Sequence, residues 1–214
     1  MASPDVALPD PGRPLAVGAQ HTTIFVPADG HAEEFRRQRV IVCGDLLEAD
    51  LLAAVLQRCR TGQFVPDVVA GLGAREVESP SRAGAALNIA LSRAPLLRWV
   101  EAATGRDGLA RVEGRVVQTR ANGVDGLEWH DDLNVPARKL GISINLSDAP
   151  YDGGDFELRD AQSHELVTRY HHHVPGTALL FDVDAASQHR VLPVGSGGPR
   201  RVFTGWFLQE AAAR

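Results

Sequence analysis

The sequence is poor in several features that would place it in a common class of protein. Its only two cysteines, Cys43 and Cys59, lie in apolar surroundings and have neither a metal-binding nor a redox spacing. It has no block of basic residues and a net charge of −5, which argues against a nucleic-acid partner. No apolar run approaches the roughly 18 residues of a membrane span. The opening MASPDVALPDPGRPLAVG has neither the basic nor the apolar segment of a secretion signal. We therefore expect a reduced cytoplasmic protein that contacts no membrane.

Length and composition predict one domain. The chain has 214 residues, 44% of them apolar, which is enough to bury a full core. Residues 1–19 contain four prolines among small residues, a composition that does not bury enough surface to offset the cost of ordering. We expect a flexible tail there, and a single domain over residues 20–214.

The part of the chain before His130 is predicted to be mostly helical. After a short strand-like run at 39–44, residues 45–62 have an amphipathic helical pattern with Asp45 as N-cap and Gly62 past the end. A second helical stretch at 81–105 contains Pro95, which is expected to kink it or split it in two.

From residue 110 onward the apolar period changes to two, which indicates β-strands. Turn signals separate eight predicted strands, at 111–120, about 127–130, 138–146, 155–159, 164–170, 177–182, 188–194 and 200–208. In the last strand, apolar residues occur on both faces, one carrying Arg200 and Trp206 and the other Arg201 and Phe203. This pattern predicts a barrel or sandwich with helices covering one sheet.

A candidate metal site lies in the segment LEWHDDLN, residues 127–134. On a strand, His130 and Asp132 project to one side and Asp131 to the other. His189, which is 57 residues beyond Asp132, is a plausible third ligand. Two imidazoles and one carboxylate on one side of an ion leave three adjacent positions open, as in non-heme iron(II) oxygenases. Taken singly, these residues could equally be an exposed turn and a core histidine. Three further histidines at 171–173 precede a Pro-Gly turn and are not expected to bind metal.

Several segments in order carry a more specific signal: His130-x-Asp132, LSDAPYDGGDFEL, PGTALLF, HRVLPV and GPRRVFTGWF. Together they resemble the iron(II)- and 2-oxoglutarate-dependent dioxygenases, in their prolyl-4-hydroxylase-like branch. The resemblance implies a mainly β fold, a double-stranded β-helix (a jelly roll or cupin-like barrel) with a core at about 110–208 and an N-terminal helical layer. It also implies iron(II), with 2-oxoglutarate and dioxygen as co-substrates and ascorbate as a possible addition.

The resemblance further implies which residues bind 2-oxoglutarate. Gly198-Pro199-Arg200, six residues before Trp206, matches the basic residue that holds its distal carboxylate, and Arg201 should face the other way. Asn145 and Arg120 stand where this branch often has tyrosines that contact the co-substrate. Either one could instead be structural. Arg120 is expected to point into the mouth of the barrel.

The activity implied is hydroxylation of an unactivated C–H bond of an amino acid, free or in a peptide, with release of succinate and carbon dioxide. Two alternatives stay open: a cupin-like oxygenase that does not use 2-oxoglutarate, and a non-catalytic binding module on the same fold. The partner is therefore a small-molecule or peptide substrate, and the sequence leaves the oligomeric state open.

Overall fold

The computed structural model describes residues 12–210. Within this range the α-helices are α1 (His31–Gln38), α2 (Ala49–Thr61), α3 (Ala83–Leu91) and α4 (Ala94–Thr104), with a short 3-10 helix at Ala28–Gly30 before α1. The strands before α4 are β1 (Leu15–Val17), β2 (Thr22–Ile24), β3 (Val40–Cys43), β4 (Phe64–Val69) and β5 (Gly73–Glu78). Those after it are β6 (Leu109–Thr119), β7 (Leu127–His130), β8 (Arg138–Asn145), β9 (Tyr151–Gly153), β10 (Phe156–Asp160), β11 (Leu166–Tyr170), β12 (Ala178–Asp182), β13 (Ser187–Val191), β14 (Val194–Gly197) and β15 (Arg200–Gln209).

One antiparallel sheet of eleven strands forms the body of the fold. Its strand order is β11-β10-β13-β7-β5-β6-β15-β8-β12-β3, and β4 is added alongside β5. The sheet curls into a nearly closed barrel, because side chains from strands far apart in this order meet inside it. The rings of Phe156 on β10 and Phe181 on β12 lie 4.7 Å apart. The expected jelly roll with supporting helices is confirmed.

The helices cover the outer face of the half of the sheet built from β6, β15 and β8. Leu87 and Leu91 of α3 and Val100 of α4 are fully buried with Phe203 and Phe207 of β15 in one apolar core. The inner-facing residues of the same strands are left to line the barrel. This division explains why β15 carries apolar residues on both faces.

The helix predictions hold with one correction. Pro95 splits the second helical stretch into α3 and α4, and it lies in the first turn of α4, where a missing N–H costs nothing. Asp45 is not an N-cap. It has a positive φ of 45°, and α2 begins at Ala49 after Glu48.

All eight predicted strands are present, but the N-terminal half contains more strand than expected. Leu15, Ala16 and Val17 are fully buried and pair with β2, so the predicted flexible tail is wrong for this stretch. Residues 1–11 of that tail lie outside the described residues. The β4–β5 hairpin was not predicted at all, and it reaches over the inside of the barrel. No helix between residues 12 and 210 has the length and apolarity needed to cross a bilayer.

Candidate metal centre and co-substrate pocket

Two histidines face each other across neighbouring strands. His130 at the end of β7 pairs directly with His189 on β13, and their ring centroids are 4.2 Å apart. The Nδ1 atom of His130 lies 2.7 Å from the carbonyl oxygen of Glu128. Because a carbonyl only accepts, Nδ1 must donate, which leaves the Nε2 lone pair free for a metal. Burial and the nearby His189 lower the pKa of His130, which favours the neutral ring that a metal needs.

Asp132 completes the group from a loop. It stands two residues past the end of β7 with a φ of 61°, a left-handed conformation that Asp adopts more readily than most residues. The predicted shared face with His130 is therefore reached by a backbone turn, and not by the alternation of a strand. One carboxylate oxygen, Oδ2, lies 3.3 Å from Nε2 of His189. The three potential ligand atoms all lie within 4.8 Å of one another.

Two further side chains orient the Asp132 carboxylate. The indole Nε1 of Trp206 donates to Oδ2 at 2.8 Å, and the Arg138 guanidinium lies 3.1 Å from Oδ1. Arg138 also stacks on the Trp206 ring, with 3.6 Å between its Cζ and the ring centroid. Burial opposes ionisation of Asp132, but the bonds to His189 and Trp206 outweigh it and lower the pKa to about 2. The carboxylate is thus ionised and held in one orientation at neutral pH.

The donor set fits iron(II). Two imidazole nitrogens and one carboxylate oxygen on one side of an ion form the arrangement of non-heme iron(II) oxygenases, with positions left open for other ligands. Among the described residues, His130, Asp132 and His189 form the one cluster of this kind, and the histidines at 171–173 are not part of it.

A cavity of about 380 Å³ joins the metal cluster to Arg200. The Arg200 side chain is buried, its Nε has no hydrogen-bond partner, and no carboxylate of residues 12–210 forms an ion pair with it. Burial lowers the pKa of this guanidinium, while the Tyr151 hydroxyl and the charge of Asp155 oppose that shift. A buried cation of this kind needs an anion. Arg201 faces the other way and binds Gln118 and Asp148.

Asn145 and Arg120 are placed differently from Arg200. Asn145 is buried, but it lines a separate cavity of about 290 Å³ beside Tyr151 and His172, and its side-chain oxygen accepts the Ser147 N–H. The expectation that Arg120 points into the barrel mouth is wrong. Strand β6 ends at Thr119, so the alternation that placed Arg120 stops there, and its side chain is 64% exposed and paired with Glu76.

Several residues of the site were missed in the sequence. The β4–β5 hairpin brings Asp67 and Arg75 into the cavity, and β8 contributes Ser143. His172 is buried against Ser143, with 3.0 Å between its Nε2 and the hydroxyl. The alternation along β8 could have indicated Ser143, but no sequence signal connects the hairpin to the metal ligands.

A family model matches the segment that contains the site. Residues 116–208 match the model of the 2OG-Fe(II) oxygenase superfamily, where 2OG stands for 2-oxoglutarate. This segment belongs to that superfamily. The oxygenase segment contains the metal cluster and Arg200, and it implies iron(II), 2-oxoglutarate and dioxygen as the reaction's cofactor and co-substrates. The match therefore supports 2-oxoglutarate-dependent dioxygenase chemistry at this site.

Solved structures show the same fold in other oxygenases. A Pseudomonas putida prolyl-4-hydroxylase has a TM-score of 0.65 and 19% identity over 86% of this chain and 100% of its own. A 2OG-Fe(II) oxygenase family oxidoreductase from Burkholderia pseudomallei has a TM-score of 0.62 and 17% identity over 87% and 94%. A Trichoplax adhaerens prolyl hydroxylase, solved with a hypoxia inducible factor peptide fragment, has a TM-score of 0.61 and 17% identity over 85% and 89%. No curated protein matches the chain.

Proposed function

We propose that the chain is a 2-oxoglutarate-dependent dioxygenase that hydroxylates an unactivated C–H bond of an amino acid, free or within a peptide. The observation that carries the proposal is one cavity lined both by the His130–Asp132–His189 cluster and by Arg200, a buried cation whose Nε has no hydrogen-bond partner. Similarity in fold to prolyl hydroxylases supports an amino-acid substrate, although a fold alone does not determine a substrate.

Each group has a distinct role in this proposal. His130, Asp132 and His189 would hold iron(II), and Arg200 would pair with the distal carboxylate of 2-oxoglutarate through two parallel hydrogen bonds. Iron(II), 2-oxoglutarate and dioxygen together supply the oxidation, in which one oxygen atom enters the substrate C–H bond and the other enters succinate as carbon dioxide leaves. Trp206 and Arg138 keep Asp132 ionised and aimed at the metal. The apolar wall of the barrel excludes water and positions the C–H bond.

Asn145 has a supporting role in the proposal. Its side chain is fixed by Ser147 and lies within reach of the His172 carbonyl, in the separate cavity of about 290 Å³. We assign it to holding the backbone at the end of β8. Arg120, on the surface with Glu76, has no part in binding 2-oxoglutarate in this account.

The experiment measures succinate formation by purified protein supplied with iron(II), 2-oxoglutarate and a panel of amino acids and peptides. The expected result is a substrate that raises succinate release and gains the mass of one oxygen atom. A cupin-like oxygenase would consume dioxygen and oxidise its substrate without forming succinate. A binding module would form neither product, and either of these results would contradict the proposal.

A further inference from the structure

Three arginines line the cavity besides Arg200. Arg75 comes from β5, Arg115 from β6 and Arg138 from β8. The side chains of Arg75 and Arg138 are only 13% and 17% exposed, so their charges lie largely within the barrel. All three arginines line the same cavity as His130 and Arg200. These guanidinium groups therefore border the space where a substrate would meet the metal.

The carboxylates of the cavity do not balance these charges. Asp67 forms ion pairs with two of the arginines. Its Oδ2 lies 3.0 Å from Nε of Arg75 and 3.9 Å from a terminal nitrogen of Arg115. Arg138 pairs with Asp132, whose charge the metal would share. Arg200 would be matched by 2-oxoglutarate. The loaded cavity thus keeps an excess of positive charge. Arg115, whose side chain is 46% exposed, is the least tightly paired of the three and can accept an anion that enters from solvent.

The cavity also has apolar lining and is of limited size. Val68, Val69 and Leu72 of the β4–β5 hairpin line it, together with Leu127 and Val191. A volume of about 380 Å³ lies at the lower end of the roughly 300–1,000 Å³ typical of small-molecule sites. Because 2-oxoglutarate would occupy the part beside Arg200, the remaining space suits a small molecule, or one residue of a peptide, that has both an apolar and a charged part.

We propose that the substrate carries a negatively charged group, which Arg75, Arg115 and Arg138 hold within the cavity. This inference rests on the proposed function and names the chemical class of its substrate. A planar guanidinium binds a carboxylate or a phosphate through paired hydrogen bonds, so both are candidates for the charged group. The apolar remainder of the molecule would lie against the hairpin, with its C–H bond towards His130 and His189.

The test uses charged and neutral probes that share one carbon skeleton. N-acetyl amino acids are compared as free acids and as amides, and O-phosphoserine amide is compared with serine amide. Binding is followed by tryptophan fluorescence, since Trp206 lines the cavity, in protein loaded with manganese(II) and saturating 2-oxoglutarate so that no turnover occurs. Succinate release with iron(II) is a second readout. We expect charged members to bind about ten-fold or more tightly than neutral ones.

Arg75→Gln and Arg115→Gln, each made separately, should bring this ratio towards one. The matched control is Arg111→Gln, which lies on the same strand as Arg115, is half exposed and pairs with Glu113 outside the cavity. It should keep the wild-type ratio. The acid pair and the phosphate pair show which anion is preferred, and either preference supports the inference.

The experiment distinguishes failure of this inference from failure of the proposed function. If charged and neutral probes show no difference anywhere in the panel, or if both cavity variants keep the wild-type ratio, the inference is wrong even when 2-oxoglutarate is turned over. If the wild-type protein binds neither iron(II) nor 2-oxoglutarate in equilibrium dialysis, the proposed function fails, and the inference fails with it.

Discussion

At the scale of single residues, the site depends on side chains that hold the proposed iron ligands. Asp132 lies in a loop and not on a strand, so its backbone alone constrains it less than His130 or His189. Trp206 and Arg138 supply the missing constraint through hydrogen bonds to its two oxygens. Partners of this kind typically matter about 10–100-fold for metal affinity.

Trp206→Phe should therefore weaken iron(II) binding by about 10-fold or more, because it removes the indole N–H and keeps an aromatic ring. The measurement is equilibrium dialysis with iron(II). Trp129→Phe is the matched control, since Trp129 packs against Arg159 and Arg190 outside the cavity. Equal iron affinity in the two variants would show that Trp206 does not position the carboxylate.

Arg200→Ala should raise the 2-oxoglutarate concentration needed for half-maximal activity by about 30-fold or more, because a buried charge pair of this kind is worth roughly 2–5 kcal/mol. Arg201→Ala should have little effect, since Arg201 faces Asp148 and Gln118 on the opposite side of β15. A large effect in Arg201→Ala with none in Arg200→Ala would overturn this assignment.

How far the site could be predicted depended on where each residue lies in its strand. Arg200 lies within a ten-residue strand, so alternation placed it correctly in the cavity. Arg120 lies one residue past the end of β6, where alternation no longer applies. Arg75 reaches the cavity through a hairpin contact across the barrel, a long-range effect that no local pattern reveals.

At the scale of elements, Glu78 connects the β4–β5 hairpin to α3 through hydrogen bonds. This buried residue ends β5, and its carboxylate accepts the N–H groups of Ala83 and Gly84 at 2.8 and 3.0 Å. It thus satisfies two of the free donors at the start of α3, where a negative charge is also favoured. Because β5 lines the cavity, this cap links the helical layer to the site.

Glu78→Ala should lower the free energy of unfolding by about 1–3 kcal/mol, because two buried N–H groups lose their acceptor. Denaturant unfolding followed by circular dichroism measures the change. Glu33→Ala, at an exposed position in α1, is the control and should change stability by less than about 0.5 kcal/mol. A Glu78→Ala protein as stable as this control would show that the cap contributes nothing.

The sequence did not indicate the β4–β5 hairpin for a physical reason. Pro66 lies within β4, and a proline within a strand pattern argues against a central strand. In the structure β4 pairs only with β5, so Pro66 lies on an edge where its missing N–H is tolerated. The strands after residue 110 were predictable because regular alternation and turn residues mark each of them. The resemblance to oxygenases then predicted that these strands close into a barrel, which alternation alone does not specify.

At the scale of the whole molecule, one apolar core joins the helical layer to the barrel. Cys43 and Cys59 are both buried in it, and burial raises the pKa of each thiol to about 12. Both thiols are therefore protonated at pH 8. A thiol must be exposed and deprotonated to react quickly with disulfide reagents.

We expect neither cysteine to react with Ellman's reagent within minutes at pH 8 in the native protein, and both to react in guanidinium chloride. The measurement is the absorbance of the released thiolate. Fast reaction of one thiol under native conditions would show that the layer covering it opens readily, against the packing described for this core.

The central proposal is that His130, Asp132 and His189 hold the iron(II) of this site. Its most direct test measures bound iron(II) and succinate formed from 2-oxoglutarate in the wild type, in His189→Ala and in His164→Asn. His164 is exposed, lies outside the cavity and has a positive φ that Asn tolerates. The account predicts one iron per chain and succinate formation for the wild type and His164→Asn, and neither for His189→Ala. A His189→Ala protein with wild-type iron content and succinate formation would contradict it.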